Sequence, residues 1–274
     1  MNSLKEKLAF IEKIEEIPSM PSVVLNLMQK LNDPDVTTAQ IEKLINMDPA
    51  LVSYVLKITN SLIFGLREEV YNVRRAVALI GVTNLKSLLT SYSIRLLCRA
   101  ITHAEAQQYI WGHSVAVAVL AREISIQIFG KEQPEAYVLG LLHDIGKIVL
   151  YIHNSNAFLE SLELGIAKNM DFVYAEKERF GFSHVETGYY MTGKMGFSKR
   201  MKDVVLFHHD PEFSSGDDKL TWIIALANEI AHYLYDNKVI DMRRYLENVN
   251  LSQDGFKEVV EKAQIQVQEY QSIL

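Results

Sequence analysis

Apolar residues recur at three- and four-residue spacing along almost the whole chain, and strict alternation is rare. That pattern predicts an all-α protein. Leu4 to Glu16 reads as an amphipathic helix, stopped by the double proline of Ile17-Pro18-Ser19-Met20-Pro21. A helix is expected from Ser22 to Leu31, ending at Asn32-Asp33-Pro34-Asp35. Thr37 and Gln40 have capping-box spacing and start the next helix near Thr38, through Ile41, Leu44 and Ile45. Asp48-Pro49 is an N-cap followed by a first-turn proline, and opens a helix through Leu51, Val55 and Leu56 that stops near Asn60-Ser61. Phe64-Gly65 makes a turn, Val73 to Ile80 is a short apolar helix closed by Gly81, and Asn84 to about Ala100 is helical again. This stretch holds no histidine and no Gly-rich phosphate loop, and reads as a packed helical platform. The pairs Asp48-Pro49 and Asn60-Ser61 fit a capping role and a contact role equally.

Histidines enter in the second part. A long helix from Thr102 to Phe129 carries His113 among Ile110, Val117 and Leu120, and Gly130 ends it. Pro134 starts a helix expected to run unbroken to about His153, carrying Leu141-Leu142-His143-Asp144-Ile145-Gly146-Lys147. Helices follow over Ala157 to Met170 and Val173 to Arg179. Ser183-His184-Val185-Glu186 is a capping box that puts His184 in the first turn of a helix to about Thr192. A helix N-terminus disfavours a protonated imidazole and keeps it available as a ligand. Ser198 to Phe207 is helical and ends in His208-His209-Asp210-Pro211, where the proline keeps Asp210 out of the helix. The polar loop Glu212 to Lys219 is the expected mobile segment. Leu220 to Tyr235 is an amphipathic helix with Trp222, Asn228 and His232, and Gly255 to about Tyr270 an exposed, charged one. These last two helices suit a homodimer or internal packing.

Composition narrows the classes. At 274 residues the chain can bury a large core, and its net charge of −6 argues against nonspecific DNA binding. The single cysteine, Cys98, forbids an intrachain disulfide, suits a reducing cytoplasm and reads as a packing residue. The charged N-terminus is unlike a secretory signal, and charges interrupt the apolar runs before the roughly 18 residues a membrane span needs. A cytoplasmic protein without a membrane partner is expected.

A His-Asp pair inside an apolar run must be paired, hydrogen-bonded or metal-bound. On a helix, Gly140 and Gly146 would flank His143 on its own face, and Lys147 would lie beside both His143 and Asp144. The residues alone leave two readings, a surface Asp144–Lys147 pair beside a core histidine or a functional cluster. The other histidines supply the context: His113, His143, Asp144, His184, His208 and His209 sit on four helical segments. Imidazoles with a carboxylate suit Fe, Mn, Ni or Zn. Six ligands exceed one tetrahedral zinc and would hold two ions with Asp144 bridging, an arrangement with metals about 4 Å apart used to hydrolyse phosphate esters. Spacing does not show that the helices converge, so one ion, two ions or none remain open.

His113 with His143-Asp144-Ile145-Gly146-Lys147 resembles the HD superfamily, and His184 with His208-His209 resembles the further ligands of its dinuclear members that hydrolyse cyclic dinucleotides. Ile17-Pro18-Ser19-Met20-Pro21, Asp48-Pro49-Ala50-Leu51, Asn60-Ser61, Phe64-Gly65 and Ala76…Leu79-Ile80-Gly81 look like the HDOD domain, an HD-related output module of bacterial signalling proteins. The resemblance covers about Glu15 to His232. It implies an N-terminal helical subdomain over residues 1–100 and an HD-like helical domain with C-terminal helices over 101–274. It also implies a regulatory role, since HDOD domains resemble HD phosphohydrolases that have lost metal ligands. With no receiver or sensor domain read in the chain, signalling partners are expected in trans. The alternative is a metal-dependent phosphohydrolase acting on a nucleotide or cyclic nucleotide. In that reading His113, His143, Asp144, His184, His208 and His209 bind metal, and Asp144 and Lys147 act in catalysis, Lys147 stabilising phosphate charge. Two departures oppose it. Asn228 stands where the superfamily has a metal-binding aspartate, and Asp210-Pro211-Glu212-Phe213-Ser214-Ser215-Gly216 replaces the Gly-Tyr-Pro loop of the cyclic-dinucleotide hydrolases.

Overall fold

The computed structural model describes residues 21–61, 66, 68–168, 170–214, 218–235 and 241–273. They are all-α, with no strand among them. The helix expected over Leu4 to Glu16, the turn at Phe64-Gly65 and residues 215–217 of the polar loop lie outside the described residues.

Local chemistry sets the first helices where the sequence placed them. α1 (Ser22–Lys30) follows Pro21, and α2 (Thr38–Ile45) opens with the Thr37–Gln40 capping box closed in both directions. α3 (Pro49–Thr59) is capped by Asp48, whose Oδ1 accepts from the backbone N–H of Ala50 at 2.9 Å and Leu51 at 3.2 Å. Its other oxygen accepts from the Tyr92 hydroxyl at 3.1 Å. Asn60 bridges to Val70, accepting from its N–H at 2.7 Å and donating to its carbonyl at 2.8 Å. Both pairs left open by the sequence thus have a structural role. α4 (Val73–Cys98) bends at Gly81, whose φ of 75° and ψ of 167° suit only glycine, so the expected stop is a kink between two helical stretches. Cys98 is buried, and burial pushes its thiol up to about 12.

α5 (Ala104–Phe129) runs through the middle of the molecule and ends at the left-handed Gly130. Around it pack α6 (Pro134–Leu142), α12 (Lys219–Tyr235) and α14 (Gln253–Ile273), while α7 (Ile145–His153) lies against α10 (His184–Lys194). α8 (Ser155–Lys168) pairs with α9 (Phe172–Phe180), α11 (Lys199–Phe207) with α10, and α13 (Arg243–Val249) with α12. Most of the buried apolar residues form one contiguous core from Val24 to Val267.

Four expectations change. The helix from Pro134 to His153 is broken: Asp144, at φ −101° and ψ 12°, separates α6 from α7. The Pro134–His153 run has the length and apolarity of a membrane span, but 89% of its apolar window is buried in the core. The C-terminal helix α14 is not exposed all round, since Val259, Ala263 and Val267 are buried on the side that packs against α5. The two glycines near His143 do not clear space beside the imidazole. A Cβ on Gly140 would lie 2.5 Å from the Ala118 Cα, and one on Gly146 1.9 Å from the His184 carbonyl oxygen. They let α6 press against α5 and α7 against α10, and so bring His113 and His184 to the His143-Asp144 break.

Candidate metal centre

Four segments converge on Asp144. Its Oδ2 lies 3.3 Å from His143 Nε2 and 3.6 Å from His113 Nε2, and its Oδ1 lies 3.2 Å from His184 Nε2 and 3.8 Å from His208 Nε2. His209 joins through its Nε2, 3.1 Å from His184 Nε2. The donor atoms fall into two groups that share Asp144, each within 4.8 Å: His113–His143–Asp144 and Asp144–His184–His208–His209. All six residues named as ligands from the sequence therefore meet. Lys147 meets them too, its ammonium donating to Asp144 Oδ2 at 2.6 Å. The pair is buried, each side chain 2% exposed, which removes the surface-pair reading.

Hydrogen bonds on the far side of the rings set which nitrogen faces inward. His143 Nδ1–H donates to the Gly140 carbonyl at 2.7 Å, and His208 Nδ1–H to the Val205 carbonyl at 2.8 Å. His184 Nδ1–H donates to the Glu176 carboxylate at 2.6 Å, and the same oxygen accepts the His184 backbone N–H at 2.8 Å. Each of these three rings therefore turns an Nε2 lone pair toward Asp144. His143 Nε2, His208 Nε2 and Asp144 Oδ1 are buried without any hydrogen-bond partner. Buried polar atoms without partners are rare and costly, and here three gather in one place. Inward lone pairs on three imidazoles plus a carboxylate oxygen are a donor set that fits a divalent transition ion.

The charges follow. Burial works against the Asp144 carboxylate, but the cationic surroundings, the Lys147 ammonium 2.6 Å away among them, outweigh it and hold the carboxyl well below its usual range. Burial likewise works against the Lys147 ammonium, and Asp144 overrides it and raises its pKa. Burial, with His232 next, keeps His113 neutral, and burial with His209 does the same for His208. Burial opposes charge on His209, yet Asp171, 3.3 Å from its Nδ1, raises its pKa. His209 thus stands between Asp171 on its Nδ1 side and His184 on its Nε2 side.

Asn228 is here as well. Its amide oxygen lies 2.9 Å from His113 Nε2, and its nitrogen is buried without a hydrogen-bond partner. Sequence reading missed Glu176, Asp171 and His232, the last stacked on His113 with ring centroids 4.6 Å apart. Glu176 left a signal: it stands between Phe172 and Phe180 on one helical face, a lone carboxylate in an apolar stripe. Asp171 was hidden behind its capping of α9, where it accepts the Val173 N–H at 2.8 Å. His232 follows Asn228 by one turn and carried no other mark.

Comparison with known proteins bears on the family and the fold. The HDOD domain family matches residues 17–211. An uncharacterized protein of Treponema pallidum is 25% identical over 226 residues, 81% of this chain, and the chain spans 44% of that relative's length. The crystal structure of an HDOD domain protein with unknown function from Geobacter sulfurreducens superposes with a TM-score of 0.81 at 24% identity, over 99% of this chain and 97% of that one. A candidate phosphohydrolase of Shewanella amazonensis superposes with a TM-score of 0.78 at 22% identity, over 98% of both chains. At these identities the two structures show a shared fold.

Proposed function

Because the chain belongs to the HDOD domain family, we propose that it is a regulatory module of bacterial signal transduction whose HD-type centre still binds a divalent transition metal. The observation that carries the metal is the set of buried, unpartnered inward atoms, His143 Nε2, His208 Nε2 and Asp144 Oδ1. His113, His143, Asp144, His184, His208 and His209 are the residues that would hold Fe, Mn, Ni or Zn, as one ion or two. Gly140, Val205 and Glu176 keep three of the rings turned inward.

Burial favours regulation over turnover. Asp144 and Lys147 are each 2% exposed, and only His209 and Asp171 at one side reach solvent appreciably. A closed centre suits a metal that shapes the bundle, since it links α5, the α6–α7 break, α10 and the end of α11. We assign the platform, residues 1–100, to recognition of signalling proteins supplied in trans in the cytoplasm, and 101–274 to the centre. Met47 and Tyr71 are exposed on that platform. The double variant Met47→Asp, Tyr71→Asp should abolish capture of signalling partners that the wild type retains, and failure of the wild type to capture any would overturn this assignment.

The second reading, a phosphohydrolase acting on a nucleotide or cyclic nucleotide, draws support from Lys147. A bound ion would polarise a phosphoryl oxygen as a Lewis acid. Lys147 would hold a fixed positive charge beside it, and Asp144 would orient both. If that reading is right, phosphate or nucleotide release in a substrate screen is lost in Asp144→Ala.

The deciding measurement is elemental mass spectrometry of the untagged protein and of His208→Ala. Metal in the first and little in the second supports the centre. No metal after anaerobic loading with Fe or Mn leaves the histidines as core residues.

A further inference from the structure

The two halves of the cluster are not equivalent. In the His113–His143 half, nearly every inward atom is already engaged. Lys147 donates to Asp144 Oδ2 at 2.6 Å, so a cation already sits on the oxygen that faces this half. His113 Nε2 is 2.9 Å from the Asn228 amide, and it is hydrogen-bonded whichever way that amide is turned. His143 Nε2 and the Asn228 amide nitrogen are left unpartnered, and the amide nitrogen is a donor that cannot bind a cation. The amide adds no negative charge, so Asp144 and Lys147 cancel and the half is close to neutral.

The other half has the opposite character. Asp144 Oδ1 and His208 Nε2 are buried and without partners. His184 Nε2 lies 3.2 Å from that oxygen. Two further carboxylates stand behind the rings, Glu176 on His184 at 2.6 Å and Asp171 on His209 at 3.3 Å. No lysine or arginine pairs with Asp171 or Glu176 in an ion pair among the described residues. Three imidazoles, one free carboxylate oxygen and two supporting carboxylates make a complete four-donor set with excess negative charge.

We propose that the centre holds a single divalent ion, bound by Asp144 Oδ1, His184, His208 and His209, and that the Lys147 ammonium occupies the place of a second ion in the His113–His143 half. The proposal rests on the metal-binding reading above and narrows it to one ion in one half. It also gives Asn228 a meaning: with a lysine supplying the cation, a second metal-binding carboxylate on α12 is superfluous.

The test is Mn(II) stoichiometry by equilibrium dialysis and elemental mass spectrometry, with the electron paramagnetic resonance spectrum as a second readout. Circular dichroism confirms that each variant is folded. The wild type should take up one equivalent and show an isolated Mn(II) spectrum without coupling to a neighbouring ion. His113→Ala should keep that equivalent, while His208→Ala should bind at least about tenfold more weakly. The double variant Lys147→Gln, Asn228→Asp should rise to two equivalents with a coupled spectrum. Two equivalents in the wild type, or metal lost from His113→Ala and kept by His208→Ala, would overturn the one-ion assignment and leave the metal centre standing. No Mn(II), Zn(II) or Fe(II) bound by the wild type would remove the metal centre itself.

Discussion

The platform and the histidine-bearing bundle both bury polar side chains, but dispose of them in opposite ways. In α3 and α4, buried hydroxyls close on nearby groups. Thr90 donates to the Lys86 carbonyl at 3.0 Å, Ser93 to the Leu89 carbonyl at 2.8 Å, and Tyr54 and Ser91 share a hydrogen bond of 2.7 Å. Thr59 Oγ1 is the exception. In the bundle, His143 Nε2, Asp144 Oδ1, His208 Nε2, Glu176 Oε1 and Asn228 Nδ2 are all buried and unpartnered, and they belong to one cluster. A lone orphan costs about 1–3 kcal/mol and is tolerated. A gathering of them, with rings held in place from behind, is a site prepared for something other than folding. Polar residues that satisfy one another read as scaffold, and polar residues that converge unsatisfied read as function.

Removing the centre's carboxylate gives the largest effect. Asp144→Ala leaves the Lys147 ammonium buried without its partner, which should cost about 3–5 kcal/mol of stability, read as a lower denaturant midpoint at unchanged slope. It should also abolish metal uptake. A loss within experimental error would mean the bundle's charges are no more critical than the platform's hydroxyls. Gly146→Ala comes next. Its methyl would meet the His184 carbonyl at 1.9 Å and the Gly188 nitrogen at 2.7 Å, and backbone neighbours have little room to yield. Overpacking of this kind costs about 1–3 kcal/mol, and because the strain falls on His184, metal affinity should fall in parallel. Stability lost with affinity intact would separate the close packing of α7 on α10 from the centre.

Glu176→Gln sharpens the contrast from the bundle side. It keeps an acceptor for His184 Nδ1–H and removes the charge, so metal affinity should weaken about tenfold to a hundredfold while the fold, by circular dichroism, stays as it is. Unchanged affinity would demote Glu176 to a packing residue.

Much of this is legible in the sequence. Helix starts at Asp48, Thr37, Pro134 and Ser183 follow from capping chemistry, and the structure puts them there. The six ligand positions were legible because histidine and aspartate are out of place on apolar helices. The break at Asp144 was not, since nothing in an apolar run beside Gly146 distinguishes a kinked pair of helices from a continuous one. The role of Gly140 and Gly146 was misjudged for a related reason: a glycine shows that room is needed but not which neighbour fills it. The buried face of α14 escaped because Val259, Ala263 and Val267 are a thin stripe in a charged helix. Glu176 and Asp171 act across space from α9, and only the docking of α9 against α10 and His209 reveals them.

The smallest effect belongs to the platform. Asp48, which the sequence leaves open to a capping or a contact role, caps α3 through Ala50 and Leu51 and accepts from Tyr92. Asp48→Ala should therefore cost about 0.5–2 kcal/mol, the usual range for a lost N-cap, and leave metal stoichiometry unchanged. Asp48→Asn, which keeps a side-chain oxygen for the α3 N–H groups, should recover most of that loss. If Asp48→Ala instead changed metal binding while stability held, the platform acid would be coupled to the centre through α4 and α6. The division between a self-satisfied scaffold and a convergent site would then fail at the residue where it is easiest to measure.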